Sequence, residues 1–486
     1  MTSTQSYNNL HLPQEILDLI IDEVARLKPV LDSQAALRTC TLVSRAFCRR
    51  SRKHLWADFV FYMDRSSRKR ATDLIHMLRR RDNRSLVAHV RSMQLVFNTP
   101  VEDEQHRLVR AKNTLSKAIK RPFQKYFKPQ YTVLDVLQHI QNCDFEHFSV
   151  NSLEQTRPIH WTKDEFSKVI KPTLLEVLSS NTRIKSFSLC NIGSISKQMV
   201  AAAFFSPEME DLTMRNLQFG EDELVTFTVE RDCVLADLRK LEMINVPMLP
   251  LLSLIHLLVP HSWPSGSLSS SDFTSSDLEP QPLFPRLQTL VVSVPYPEDM
   301  NPLWKLILGG ASCLENLEME YHYRRYGIPE LGQLSLRRLT ALRNFRFRTV
   351  SPDDIVWVEA SQRVLLNIFT FPCFTEKLRS FELQYLFSAA WDTSDHTNGK
   401  PLERLRNAAH WEVIDDWLVS DHFRSFETLQ LSVKVVHSMG GSDAVYYIPA
   451  DEMLAAALLM FPKMTAKAHI EVIMEGQIFF RLNPTM

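Results

Sequence analysis

The stretch Leu314-Glu315-Asn316-Leu317-Glu318-Met319 sets apolar residues at its first, fourth and sixth positions. Its last three residues alternate apolar, charged, apolar, which is the period of a strand with one buried face. The pattern returns at Leu287-Leu290-Val292, Leu342-Phe345-Phe347, Leu378-Phe381-Leu383 and Phe426-Leu429-Leu431. Earlier copies stand at Val90-Met93-Leu95, Phe145-Phe148-Val150, Ile184-Phe187-Leu189, Met209-Leu212-Met214 and Leu238-Leu241-Met243. Between copies the spacing turns helical, as in PTLLEVLSSN (172–181), MLPLLSLIHLLV (248–259) and DEMLAAALLMF (451–461). One strand and one helix per repeat, stacked side by side, predict an α/β solenoid with a parallel sheet on its concave face and helices on its convex face.

With the last apolar residue of each copy as the mark, the spacings from Leu189 onward are 25, 29, 49, 27, 28, 36 and 48. Four of the seven fall in the range of leucine-rich repeats, which the irregular array resembles. The gap of 49 holds the polar, Ser- and Pro-rich segment 262–282, and the gap of 48 holds WDTSDHTNGKP at 391–401. Both read as insertions, and removing about twenty residues from the first restores the period.

Side chains between the apolar positions of each strand alternate onto the concave face. That rule places Ser188, Cys190, Thr213, Arg215, Glu242, Ile244, Val291, Ser293, Glu318, Glu320, Arg346, Arg348, Glu382 and Gln384 there. Opposite charges on successive strands fit two readings. One is a strip that grips a partner, and the other is a ladder that satisfies itself at about 0.2–1 kcal/mol per pair.

The N-terminal part has a different rhythm. Ile16, Ile20 and Val24, with Leu17 and Ile21 alongside, form an apolar helical stripe that begins after Leu12-Pro13 and ends near Lys28-Pro29. Ser33 reads as the cap of a second helix carrying Leu37, Cys40 and Thr41. SRAFCRRSRKHLW (44–56) reads as a third, with Phe47, Ser51, His54 and Leu55 inward and Arg45, Arg49, Arg50, Arg52 and Lys53 outward. So small a unit leaves apolar surface for a partner to cover.

The ordered elements Leu12-Pro13-x-Glu15-Ile16-Leu17-x-Leu19-Ile20-Ile21, ALRTCTLVSRAF (36–47) and His54-Leu55-Trp56 resemble an F-box. The resemblance covers about residues 10–60, between an N-terminus (1–9) expected to be flexible and the array at 61–486. It departs from the family pattern at Phe47, where tryptophan is usual, and in the longer link ARLKPVLDSQ (25–34). The resemblance implies docking to the Skp-type adaptor of a cullin-based ubiquitin ligase through Leu12, Pro13, Ile16, Ile20, Leu42, Val43 and Trp56. It also implies that the array receives a substrate protein, with Arg215, Glu242, Glu318, Glu320, Arg346, Arg348 and Glu382 as candidate contacts.

Composition narrows the rest. The chain of 486 residues is 45% hydrophobic, enough for a large core, yet no run reaches the length of a membrane span and the start has no secretory pattern. A cytoplasmic or nuclear protein without cofactor or metal is expected. The seven cysteines contain no CxxC pair, and no phosphate-loop, dinucleotide, metalloprotease or nucleophile-elbow motif occurs, so the reading is non-enzymatic. Net charge is zero, but residues 1–130 hold 25 Lys+Arg against 12 Asp+Glu, leaving 31 against 44 beyond. The basic region 65–128, above all Arg107 to Lys128 with Phe123, Tyr126 and Phe127 interleaved, admits nucleic-acid binding as an alternative and a solvated insertion as the plainer account. YHYRRY (321–326) admits an aromatic and basic contact patch at the rim of the arc, with packing of Tyr321 and Tyr323 into the core as the plainer account.

Overall fold

The computed structural model describes residues 13–27, 30–63, 67–80, 88–97, 146–152, 183–219, 236–247, 284–294, 312–322, 339–352, 355–369, 377–389, 400–439, 445–447, 450–467 and 471–482, with short pieces at 86, 135–137, 159–160, 174–178 and 307. The expected N-terminus 1–9, the basic run 107–128, the helix at 248–259, the insertion 262–282 and Tyr323 lie outside the described residues. The chain divides into two compact units, Met1–Ile192 and Gly193–Met486.

In the first unit, helices α1 (Gln14–Arg26), α2 (Val30–Val43) and α3 (Arg45–Ala57) pack on one another. Pro13 precedes α1 with φ −51°, and Glu15 sits in the first turn, where it favours the positive end of the helix dipole. Ser44 is extended and its hydroxyl accepts the Phe47 amide, capping α3. Ser33 is not a cap: α2 starts at Val30, and Ser33 is buried inside it, one turn before the buried Leu37 on the same face. Arg50 also departs from the outward reading, because a carboxylate on α1 draws it in.

No linker separates the helices from the sheet. α3 passes directly into β1 (Asp58–Met63), and the Ala57 carbonyl accepts the Arg91 amide at 2.9 Å. Helix α4 (Ser67–Leu78) leads towards β2 (Ser92–Phe97), which β1 joins in parallel; β3 (His147–Ser152) and β5 (Ser186–Ile195) continue the order, and β4 (Ile159–His160) pairs with β5. The helical module and the first strands lie in one compact unit.

The second unit opens with α5 (Lys197–Phe204) and repeats the scheme through β6 (Asp211–Phe219), β7 (Lys240–Ile244), β8 (Thr289–Val294), β9 (Asn316–His322), β10 (Asn344–Pro352), β11 (Ser380–Ala389), β12 (Thr428–Met439) and β14 (Glu471–Leu482). Each neighbouring pair from β6 to β12, and β12 with β14, is parallel; β13 (Val445–Tyr447) returns antiparallel on β14. Helices α6 (Ile355–Phe369), α7 (Lys400–Arg406), α8 (Trp411–Leu418), α9 (Ala450–Met460) and α10 (Pro462–Thr465) lie between the later strands. The predicted parallel α/β architecture is present.

The strand marks form the core. Leu290, Leu317, Phe345, Phe381 and Leu429 share one register row, and all are at most 1% exposed. Within that row the Phe345 and Phe381 rings stack with centroids 5.5 Å apart. Tyr321 is buried, as its reading requires. In the helix layer a side chain of one helix satisfies the start of a later one. Buried Asp415 of α8 accepts the Lys463 amide at 2.8 Å and the Met464 amide at 3.0 Å at the start of α10. Burial pushes the Asp415 carboxyl up, and the two backbone donors oppose that rise.

Three strands carry the same backbone feature, inside β5 and β6 and just beyond β7. Asn191, Asn216 and Asn245 have φ of 59°, 50° and 53°, in the left-handed region that asparagine tolerates better than other residues bearing a Cβ. Each stands two residues beyond its mark, and each is followed by a buried Ile192, Leu217 or Val246. Asn191 donates to the Ser152 carbonyl at 2.8 Å, and Asn245 donates to the Asn216 side chain at 2.7 Å. Replacing Asn245 with alanine removes that bond and keeps a Cβ in the left-handed region without the polar side chain that lets asparagine tolerate it. The expected cost is about 1.5–3 kcal/mol. Asn245→Gly keeps the backbone freedom and loses only the side-chain bonds, so urea unfolding should rank wild type above Asn245→Gly above Asn245→Ala.

Candidate docking corner and charged sheet face

The helical module exposes a group of large apolar side chains. Ile16 is 42% exposed, Leu19 60%, Ile20 43%, Leu42 86% and Val43 64%. Ile16, Leu19 and Ile20 share one side of α1, since residues three and four apart are helix neighbours. Leu42 and Val43 end α2 just before the Ser44 cap. The Gln14 side chain donates to the Ala46 carbonyl at 3.4 Å, which brings the start of α1 against the corner between α2 and α3. Pro13 is exposed beside it, and Leu12 lies outside the described residues.

Trp56 is not brought to this corner. It lies ten residues beyond Ala46 on α3, roughly 15 Å along the helix axis. There it is half-buried and stacks on Phe59 of β1, with centroids 6.1 Å apart and planes 3° apart. Trp56, Phe59 and Phe61 occupy the first, fourth and sixth positions of a further copy of the strand pattern. Trp56 thus pairs with the first strand, and Leu42 and Val43 stay open at the opposite end of α3.

An ionic cluster ties α1 to α3, beside the buried Ile21 of α1. Asp22 accepts Arg50 Nε at 2.7 Å and Nη2 at 2.6 Å, and His54 Nε2 lies 2.7 Å from the same carboxylate. The Arg50 hydrogen bonds hold the Asp22 carboxyl well below the usual carboxylate range; partial burial opposes this and His54 adds to it. The same pairing raises the Arg50 pKa. A carboxyl depressed by folding contributes stability that is complete above its unfolded pKa of about 4 and fades as pH falls through and below that value. Asp22→Asn should lower protection of the α1 and α3 amides against hydrogen exchange by about 1.5–3 kcal/mol at pH 7. The gap between the two proteins should close as pH is taken from about 5 towards 2.

The second candidate group lies on the sheet. Parallel register sets Glu318, Arg346 and Glu382 in one row and Glu320, Arg348 and Gln384 in the next. Arg346 bonds Glu318 at 3.0 Å and Glu382 at 2.5 Å. Arg348 bonds Glu320 at 2.9 Å, lies 3.4 Å from Glu318 and also bonds Gln384. Arg215 pairs with buried Glu242, which Lys240 also approaches at 3.6 Å. Burial disfavours the charge on Arg346, yet hydrogen bonding to Glu382 and the charges of Glu382 and Glu318 raise its pKa.

Of the two readings of this strip, the geometry is that of a ladder satisfied within itself. The seven candidate residues are brought together in two groups, Arg215 with Glu242 and the other five across β9–β11, and each arginine is engaged by carboxylates. A second ladder runs beside it, from Asn344 to Asn316 at 2.7 Å and from Asn316 to Thr289 at 3.2 Å.

Among the described residues no group of three histidine, cysteine or acidic side chains is placed to hold a metal, and no helix is long and apolar enough to cross a membrane. No protein-family model matches the chain, and no curated protein has a matching sequence.

Proposed function

We propose that this chain is the substrate-recognition subunit of an SCF-type, cullin-based ubiquitin ligase. In this reading the helical module docks a Skp-type adaptor and the strand-and-helix array holds a substrate protein. The observation that carries it is the exposed corner of Ile16, Leu19, Ile20, Leu42 and Val43. Five large apolar side chains open to solvent on so small a module are what a partner helix covers in groove-type recognition. Their positions coincide with the motif elements by which the module resembles an F-box.

The chain then contributes no catalytic side chain of its own. Holding a substrate beside a charged ubiquitin carrier raises the effective concentration of the reacting groups. Co-expression of the full chain with a Skp-type adaptor should yield a complex that survives gel filtration. If the folded chain elutes alone, the receptor reading is lost. Affinity mass spectrometry with and without residues 1–60 then separates the two partner classes. Ligase subunits should disappear on deletion, and substrates should remain.

A further inference from the structure

The helix layer of the second unit holds two buried nitrogens that no neighbouring group satisfies. Gln362 of α6 is 0% exposed, and its Nε2 has no hydrogen-bond partner among the described residues. His410, the residue just before α8, is half-buried, yet its Nε2 is closed to solvent and equally without a partner there. The polar groups beside them are satisfied. Ser361 donates to the Val358 carbonyl at 2.7 Å, and Trp411 Nε1 donates to the Leu405 carbonyl at 2.5 Å.

The two nitrogens belong to residues already joined. The His410 amide donates to Gln362 Oε1 at 3.2 Å, across 48 residues of sequence. That bond fixes the carboxamide, because a backbone N–H has only a proton to give and must face the oxygen. Nε2 then points away with two protons to donate. The imidazole could accept one of them, but the two nitrogens make no bond to each other.

A later helix contact has the same form in completed state. Asp415 of α8 reaches 48 and 49 residues ahead and accepts the Lys463 and Met464 amides, one on each oxygen. A carboxylate has acceptors on both sides and closes its site without help. Gln362 has an acceptor on one side and a donor on the other, so after a single amide it needs an acceptor in turn. A buried amide N–H without one forfeits its hydration, and folded proteins rarely leave such a group unpaired.

We propose that one internal water binds between Gln362 Nε2 and His410 Nε2, accepting from the carboxamide and donating to the imidazole. Water is the smallest group that both accepts and donates. It also brings no charge into a layer where Trp411 packs edge-on against Tyr385 and Phe461. The arrangement sets the tautomer of the ring: neutral His410 carries its hydrogen on Nδ1 and turns the lone pair of Nε2 to the water. The water then joins α6 to the start of α8, as Asp415 joins α8 to α10 directly.

The test is a crystal structure of the full chain at a resolution that orders internal waters, together with long-range proton–nitrogen NMR spectra of its histidine rings. The His410 signal is identified by its loss in His410→Phe. The expected result is one water within about 2.7–3.2 Å of both nitrogens and a neutral His410 ring protonated on Nδ1. In Gln362→Glu the new carboxylate only accepts, so the water turns over to donate to it and the His410 proton moves to Nε2. Two dry, packed nitrogens, a direct bond between the two side chains, a water that reaches only one of them, or Nε2 protonated in the wild type overturns the proposal. A His410 signal unchanged by Gln362→Glu in a variant that circular dichroism shows to be folded overturns it as well. Where that variant does not fold, the wild-type structure and spectrum decide by themselves.

Discussion

Replacing Ile20 and Leu42 together with aspartate should abolish co-purification with a Skp-type adaptor while leaving thermal unfolding unchanged. Ile20 is 43% exposed and Leu42 86%, so neither substitution opens a cavity or buries a charge in the free chain. In a covered interface the same side chains are central apolar anchors. Truncating such anchors typically costs about 2 kcal/mol or more each, close to thirtyfold in affinity, and a carboxylate in their place adds desolvation. Two of them together take a nanomolar complex beyond the micromolar range. Gel filtration of the co-expressed pair reads the outcome directly. A double variant that still elutes with the adaptor removes the corner as the docking surface, whatever the fate of the wider receptor reading.

The largest effect on stability is expected at Phe381. Its ring is fully buried, stacks on Phe345 of β10 and shares a register row with Leu429 of β12. Phe381→Ala should destabilise the Gly193–Met486 unit by about 3–5 kcal/mol, since the side chain is lost and neighbours held by two flanking strands relax little into the space. Urea unfolding followed by tryptophan fluorescence suits the measurement, because Trp411 and Trp417 both belong to this unit. A loss below about 1 kcal/mol would mean that adjacent repeats collapse onto the cavity and that stacking is looser than the ring geometry states.

The strands were legible because their apolar positions are governed by one period. From Met93 and Leu95 to Leu429 and Leu431, the alternating pair of every one of the ten copies is buried on β2, β3 and β5 to β12. Two further copies are less legible, each for a physical reason. At the N-terminal end, Trp56 of the Trp56-Phe59-Phe61 copy also belongs to the helical motif, which overlays the strand pattern. At the C-terminal end, β14 carries Val472 and Met474 in the right places, but the polar His469 holds the first position.

Side-chain destinations were less legible than strand positions. Arg50 sits among outward arginines, and only the placement of α1 beside α3 shows that Asp22 claims it. The asparagines two residues beyond the marks at Leu189, Met214 and Met243 do carry a sequence signal, a repeated x-Asn-apolar step. That signal is weak beside the hydrophobic positions, because asparagine is common in turns and loops of every kind. The alternation that puts Glu318, Arg346 and Glu382 on one face is legible in the sequence, but their pairing depends on register between strands separated by 28 or 36 residues, which is not a local property of sequence.

The asparagine bridges carry a consequence for how this protein can change. Asn191 ties β5 to the last residue of β3, and Asn245 ties the end of β7 to Asn216 of β6, independently of the path the chain takes between them. Alignment at these strands is set by strand residues, so the connecting segments are free to drift in length. That freedom accounts for mark spacings that run from 25 to 49. It makes the region 262–282 a natural place to graft a reporter domain, and it lets a lineage remodel one repeat's loop without renegotiating the alignment of the next.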